Sequence, residues 1–496
     1  MSRIPAQQVL DAVLDPGTFR SWDTPPIDPQ LGPEYAAQLA RARQRSGVDE
    51  AVMTGEGLIA GRRVAVAAGE FAFLAGSFGA AASERLIAAV ERATAEGLPF
   101  LASPSSGGTR MQEGTPAFLQ MVSIGQSVMA HRRAGLPYLV YLRDPTTGGV
   151  LASWGSLGHV TVAQPGALIG FLGPRVREVI LGEPFAEGVQ VAENLARRGV
   201  IDGVVPLDEL RDVATLVLDV LLTPSRTEHL DIGRAVVEAR PDRGAWDSVT
   251  ATRRRDRPGL RDLLRLTAQG FIPLRGTGSG ESDLTVIFGL ARFLGFSCVL
   301  IGQDRLAQQD DYLGPAALRV AQRGFQLAEE LGLPIVTVID TPGADLSAEG
   351  ENGGMAGEIA RTLGALATAD VPVVSVILGE GTGGGALALM PADRTVCAEH
   401  AWIAPLPPEG ASAIVHRTDD YAADMAEGHH IRAVDLLAMG AVDQVVPECP
   451  DAADEPEAFC HRIVRATGNH IIDLLGVAPD ERLDARRRRY RNLTRP

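Results

Sequence analysis

One pattern of strand, glycine loop and helix occurs twice in this chain at a nearly constant spacing, and that duplication limits the fold more than any other feature. Gly97-Leu98-Pro99 leads into a short apolar run, Phe100-Leu101-Ala102, which empties into Ser103–Gly114. Gly332-Leu333-Pro334 leads into Ile335–Ile339, which empties into Asp340-Thr341-Pro342-Gly343-Ala344 and then Ala348-Glu349-Gly350. A helical stretch follows in each case, about Thr115–Arg133 and about Ala356–Thr368. A second buried strand comes next, Tyr138–Leu142 or Pro372–Leu378, ending in Arg143–Val150 or Gly379–Leu387. Gly97 to Gly332 is a shift of 235, Glu113 to Glu349 is 236, and Gly149 to Gly384 is 235. Each half closes alike, on Arg198–Pro206 and Met439–Pro447. A period this long is no solenoid. It predicts two homologous α/β domains, 1–235 and 236–496, which suits a chain of 496 residues.

The second copy of the turn shows what such a motif can do. Gly379-Glu380-Gly381-Thr382-Gly383-Gly384-Gly385-Ala386-Leu387 joins a strand apolar enough to be buried to the start of a helix. That geometry exposes backbone N–H groups beside the positive end of a helix dipole. Such groups hold an anion, or an oxygen that becomes one during reaction. Alone, the glycines need only relieve crowding at a tight crossover. A matched twin at Asp144–Val150 favours the functional reading, a reaction that needs two separate oxyanion sites.

Composition narrows the choices further. A net charge of −16 argues against a nucleic-acid-coating protein. No run of eighteen apolar residues predicts a membrane span, and the N-terminal residues lack a signal peptide's apolar core, which points to the cytoplasm. Cys298, Cys397, Cys449 and Cys460 show no C-x-x-C spacing, so neither a zinc ribbon nor a disulfide framework is expected. The chain has no lysine; all 46 of its basic residues other than histidine are arginine. That excludes a Walker lysine, a Schiff-base lysine and any lysine-linked cofactor on this chain.

Outside the repeats, Gln7–Leu14 and Pro33–Arg45 read as helices of an N-terminal arm, Arg62–Ala68 as a strand and Ser83–Glu96 as an amphipathic helix. Leu222–Pro258 has linker composition, with Ala245-Trp246-Asp247-Ser248 as a docking point. The arginine-dense tail, Arg482–Pro496, reads first as a solvated helix end.

The long motifs carry a family resemblance. Ser106–Gly114, Asp144–Val150 and Gly170–Val176 resemble the β subunit of bacterial acetyl-CoA carboxylase carboxyltransferase. Ile339–Ala344, Gly379–Ala388 and Pro408–Ile414 resemble its α subunit. Both in one chain is the arrangement of the fused carboxyltransferase (β) subunits of biotin-dependent acyl-CoA carboxylases common in actinobacteria, and the resemblance covers about residues 50–450. It implies two crotonase-like (ClpP/crotonase ββα superhelix) domains. It also implies carboxyltransferase activity, moving CO2 from carboxybiotin to an acyl-CoA, most simply acetyl-CoA to malonyl-CoA. By position, the N–H groups of Gly148 and Gly149 would form one oxyanion hole, for the thioester enolate. Those of Gly385 and Ala386 would form the other, for the biotin ureido oxygen. Ser106, Gly107, Gly108, Thr109 and Arg110 fall on the CoA side, and Gly343 and Gly384 on the biotin side. The resemblance implies no metal. It implies biotin on a separate carrier subunit, a biotin carboxylase partner, and a homo-oligomer, a hexamer built from dimers, in which one subunit's first domain faces another's second. Two departures stand out: the β subunit's zinc ribbon is missing, and the glutamine-rich segment after the D-T-P-G motif reads Glu349-Gly350-Glu351-Asn352-Gly353-Gly354.

Several side chains admit two readings. Arg110 could grip a CoA phosphate or stand exposed at a helix start. Glu113 and Glu349, at matched places, suit helix N-terminal charges better than a catalytic pair. His159 and His416 could be acids or bases but suit structural or surface roles better, and His429-His430 reads as surface rather than metal site. Trp154 could line the acyl pocket or the core. The competing functions are a malonyl-thioester decarboxylase of the same fold and a silent scaffold subunit.

Overall fold

The computed structural model describes residues 3–27, 29–183, 185–230, 244–491 and 493, without the side chain of Arg175. The chain divides into two compact units, Met1–Leu221 with Leu274–Glu281, and Leu222–Pro273 with Ser282–Pro496. The expected boundary after residue 235, the middle of the expected linker and the last residues of the tail lie outside the described residues.

In the first unit the strands are β1 (Arg20–Ser21), β2 (Val52–Ile59), β3 (Arg62–Gly69), β4 (Phe100–Ser103), β5 (Tyr138–Leu142), β6 (Thr146–Thr147), β7 (Val160–Ala163), β8 (Ile169–Gly170) and β9 (Gly203–Val204). Among the described residues the main sheet runs β1-β2-β3-β4-β5-β7-β9, and β6 pairs with β8 in a separate ladder. β2 and β3 form an antiparallel hairpin; from β3 to β9 every pairing is parallel. Helices Ala80–Ala95 and Gly114–Arg133 are the crossovers after β3 and β4. Leu86, Val90, Ile124 and Val128 join Phe100, Tyr138 and Val140 in the core, which is why β4 and β5 are apolar on both faces.

The second unit holds β10 (Ala268–Leu274), β11 (Val286–Phe293), β12 (Phe296–Gln303), β13 (Ile335–Thr341), β14 (Val373–Thr382), β15 (Arg394–Ala398), β16 (Trp402–Ala404) and β17 (Gln444–Val446). Its order is β10-β11-β12-β13-β14-β15-β17, with β16 paired to the end of β14. Again one antiparallel hairpin, β11–β12, precedes a run of parallel pairings. Strand by strand the two sheets have one topology, the structural form of the sequence repeat. Each β-strand–helix–β-strand step takes the chain back to the same sheet edge, so the loops after successive parallel strands gather at one end.

Two segments differ from their sequence reading. Ala245–Thr252 is a helix whose Ala245, Val249 and Thr252 are buried, and Thr252 accepts a hydrogen bond from the Trp402 indole at 2.9 Å. Just beyond it, fully buried Arg257 pairs with fully buried Glu448 at 2.7 Å, so this end of the expected linker belongs to the core. The tail also folds back. Arg486, in helix Pro479–Arg489, is buried against Asp393 and donates to the Leu366, Ala369 and Val371 carbonyls at the end of helix Met355–Thr368. A cation there meets the negative end of the helix dipole and the orphan carbonyls together, which a solvated tail cannot do.

Candidate active site

Arg143, fully buried at the end of β5, prepares the first glycine turn. Its guanidinium donates to Ser103 Oγ and the Ser103 carbonyl, both at 2.8 Å, to Ile4 O at 2.7 Å and to Gly69 O, tying the ends of β3 and β4 beneath the turn. Burial pulls it down to about 10. After β6, Gly148 takes φ +66° and opens the short helix Gly148–Val150. Its N–H donates to Phe171 O at 2.9 Å, so the first of the two expected donors is already engaged. With Thr147 as N-cap, the helix start leaves the N–H groups of Gly149 and Val150 as the next ones without an intrahelical acceptor. Ser153 Oγ holds the Gly149 carbonyl at 2.7 Å.

The Ser106–Thr109 loop lies directly on this turn. Buried Ser106 donates to Gly76 O at 2.6 Å and accepts the Gly108 N–H at 3.0 Å, while its carbonyl accepts the Thr147 N–H at 2.9 Å. Gly107 N–H donates to Ala75 O at 2.9 Å. Gly108 has φ +111°, and a Cβ on Gly148 would sit 3.1 Å from Gly108 Cα. A Cβ on Gly149 would come within 2.8 Å of Thr109 Oγ1. Glycine is needed because two backbones meet here.

Arg110 is neither a phosphate grip nor an exposed helix-start charge. It is 1 % exposed, pairs with Glu50 and Glu113, and donates to Ser77 O at 2.7 Å. A guanidinium enclosed by two carboxylates cannot reach a CoA phosphate, and the expectation is corrected. Glu113 accepts the Tyr35 hydroxyl at 2.6 Å and the Ala80 N–H at 2.6 Å, so its charge sits at a helix N-terminus, that of Ala80–Ala95 rather than its own. Glu349 is exposed in the first turn of the short helix Ala348–Asn352.

In the second unit, a shift of register between Ile339 and Thr341 brings Thr341 opposite Gly381. Asp340 stands at this irregularity, buried, and its Oδ1 accepts the Glu380 N–H at 3.2 Å. A Cβ on Gly379 would fall 2.2 Å from that oxygen. Burial pushes the Asp340 carboxyl up to about 6 against the opposing pull of Arg305 and Arg257. Thr382 is N-cap to the helix Gly383–Leu387, and Gly383 has φ +63°, the counterpart of Gly148. Helix geometry leaves the N–H groups of Gly383, Gly384 and Gly385 without an acceptor four residues back; Ala386 is the first to have one, the Thr382 carbonyl. Ala386 therefore falls one position beyond the open donors expected of it. Gly343, at φ +142°, and Ala344 border the turn: a Cβ on Gly385 would lie 3.6 Å from Ala344 N and 3.0 Å from Leu313 Cδ2. Arg253 bridges Glu380, at 2.6 Å, and Glu409, fastening helix Pro408–His416 to the same motif.

The remaining candidates fall away from chemistry. Trp154 is fully buried with its ring 5.4 Å from Phe78, in the core. His159 is buried, and its Nδ1 accepts the Tyr138 N–H at 3.0 Å. His416 lies against Tyr421, with ring centroids 4.5 Å apart, and His429 and His430 are exposed. Among the described residues, no group of three His, Cys, Asp or Glu side chains could hold a metal ion. Gln303, Asp340 and Arg143 were not singled out by sequence reasoning; Gln303 and Asp340 stand in the last residues of a sheet strand and Arg143 just beyond one, and that position was the available signal.

Each of the two sheets thus delivers a glycine turn and a helix start with backbone donors. The carboxyl transferase domain family matches residues 6–470. The probable biotin-dependent acyl-coenzyme A carboxylase beta3 subunit of Mycobacterium tuberculosis is 56% identical over 100% of both chains. The acetyl-coenzyme A carboxylase carboxyl transferase subunits beta/alpha of Salinispora arenicola is 37% identical, over 99% of this chain and 90% of the relative. Among solved structures, transcarboxylase 12S aligns with a TM-score of 0.71 at 22% identity, over 94% of this chain and 90% of that one. The chain belongs to the carboxyl transferase family, with its crotonase-like α/β fold present twice, and it is a transferase.

Proposed function

We propose that this chain is the carboxyltransferase subunit of a biotin-dependent acyl-CoA carboxylase, with acetyl-CoA as acceptor and malonyl-CoA as product. One observation carries the reading: both units present the same glycine turn with open helix-start N–H groups. The full-length relative at 56% identity, named for acyl-CoA, and the one at 37%, named for acetyl-CoA, support it. Biotin, when bound, supplies the carboxyl group on a ureido nitrogen and takes up the α-proton of the acyl-CoA there. The chain's own part is electrostatic. Gly149 and Val150 N–H groups receive the thioester oxygen as it gains charge, with Gly107-Gly108 fixing the turn from outside. Gly384 and Gly385 N–H groups receive the ureido oxygen as it gains negative charge on loss of the carboxyl group. One such donor contributes about 3 kcal/mol to lowering the barrier.

Because the chain has no lysine, biotin arrives on a separate carrier subunit. Exposed apolar side chains stand on the segments around each turn, Met111, Phe118 and Phe171 in one unit and Tyr312, Leu346 and Leu387 in the other. They support assembly with further copies of the chain. The test supplies purified protein with a biotinylated carrier, its carboxylase, and acetyl-, propionyl- and longer acyl-CoA esters. Malonyl-CoA formed at the highest kcat/KM is the expected result. Biotin-independent CO2 release from malonyl-CoA would instead make the protein a decarboxylase, and no turnover with any ester would leave a scaffold.

A further inference from the structure

Gln303, the last residue of β12, is fully buried and uses both ends of its amide. Its Nε2 donates to the Gly385 carbonyl at 2.8 Å, and its Oε1 accepts the Asp340 N–H at 3.0 Å. Asp340 in turn holds the Glu380 N–H at 3.2 Å. One side chain thus joins three segments: the end of β12, the irregular end of β13, and the helix start that follows β14. The first unit holds its turn carbonyl differently. Ser153 grips Gly149 O from four residues along the same short helical stretch, a bond that fixes nothing beyond that stretch. In the second unit the next carbonyl along, that of Gly385, the counterpart of Val150, is gripped from another strand.

We propose that Gln303 is a positioning residue for carboxyl transfer: it holds the Gly385–Ala386 peptide, and so anchors the adjoining Gly384–Gly385 peptide that carries the Gly385 N–H. The inference rests on the function proposed above. A buried amide with both groups satisfied has one low-energy placement, because leaving either end unpaired is costly. The Gly385–Ala386 peptide plane is therefore fixed before any substrate arrives. Preorganised donors are effective only where their geometry is held, and a shift of about 1 Å at a reacting centre costs on the order of a hundredfold in rate. Gln303 touches no reacting atom in this scheme; it acts through Gly385 and Asp340.

Gln303→Glu keeps an oxygen for the Asp340 N–H and puts a second oxygen against the Gly385 carbonyl; Gln303→Asn keeps both amide groups on a shorter stem. Two readouts are taken on the full chain: deuterium uptake of the segments 380–390 and 146–155, and kinetics of carboxyl transfer from malonyl-CoA to free biotin. In Gln303→Glu, uptake in 380–390 should quicken at least tenfold with 146–155 unchanged. Its kcat should fall thirtyfold or more, with KM for malonyl-CoA within twofold, and Gln303→Asn should recover part of both. Unchanged uptake in 380–390, uptake that quickens equally in both segments, or a kcat within threefold of the parent would overturn the proposal. Should Gln303→Glu not fold, the same criteria apply to Gln303→Asn, with proportionately smaller effects expected. A parent protein that transfers no carboxyl group to biotin would overturn the function proposed above, while the exchange comparison still judges the positioning.

Discussion

At the scale of single residues, the proposed function places the chemistry on main-chain atoms of the two glycine turns, which buried side chains hold in place. Sequence reading found the glycines readily, because φ near +65° at Gly148 and Gly383 and close backbone approach at Gly108 leave no other choice. It missed by one position which N–H groups stay open. That depends on Phe171 O reaching Gly148 and on the helix beginning at Gly383, facts of three-dimensional register rather than of composition. It also missed Asp340 as a buried acid, since an aspartate in D-T-P-G looks like any turn residue. Asp340 supplies a prediction with a definite sign. Its folded pKa, about 6, lies above the ordinary 3.8, so between those values the folded protein keeps a proton that the unfolded chain has released. Stability from this group is full below pH 4 and is lost as pH rises through 6, a change of about 3 kcal/mol. On going from pH 4.5 to pH 7 the denaturant midpoint should therefore lose less, or gain more, in Asp340→Asn than in the parent. An equal difference would mean that Asp340 ionises normally.

At the scale of elements, the two halves share a topology but differ in how they anchor it. The matched glutamates show this best. Glu113 is enclosed with Arg110 and caps the helix Ala80–Ala95, whereas Glu349 faces solvent on a five-residue helix. Glu113→Ala leaves a buried guanidinium with one carboxylate fewer and an open helix start, and should cost about 3 kcal/mol in chemical unfolding. Glu349→Ala should stay within about 0.5 kcal/mol. Equal effects would show that the burial difference carries no energy. Strands and crossover helices were legible from apolar runs and 3.6-residue periodicity, as Tyr138–Leu142 and helix Gly114–Arg133 illustrate. Arg110, Arg257 and Arg486 were not legible in this way. Arginine reads as surface until the fold supplies a buried carboxylate for it, so the end of the linker and the tail looked more solvated than they are.

At the scale of the whole molecule, one sheet design used twice gives one chain two glycine turns with helix-start donors, as the proposed reaction with two developing oxyanions requires. Among the described residues no helix is long and apolar enough to cross a membrane. Whether a backbone N–H at the second glycine turn stabilises charge during carboxyl transfer is decided at Gly385. Gly385→Ala keeps the N–H and adds a Cβ whose nearest neighbour is the end of a flexible side chain, Leu313 Cδ2 at 3.0 Å. Gly385→Pro removes the N–H in the first turn, where no intrahelical hydrogen bond is lost with it. The measurement is kcat for transfer of the carboxyl group from malonyl-CoA to biotin in the two variants. The account predicts a proline variant about a hundredfold slower than the alanine variant, the rate cost of one missing oxyanion donor. Equal rates in two folded variants would contradict it.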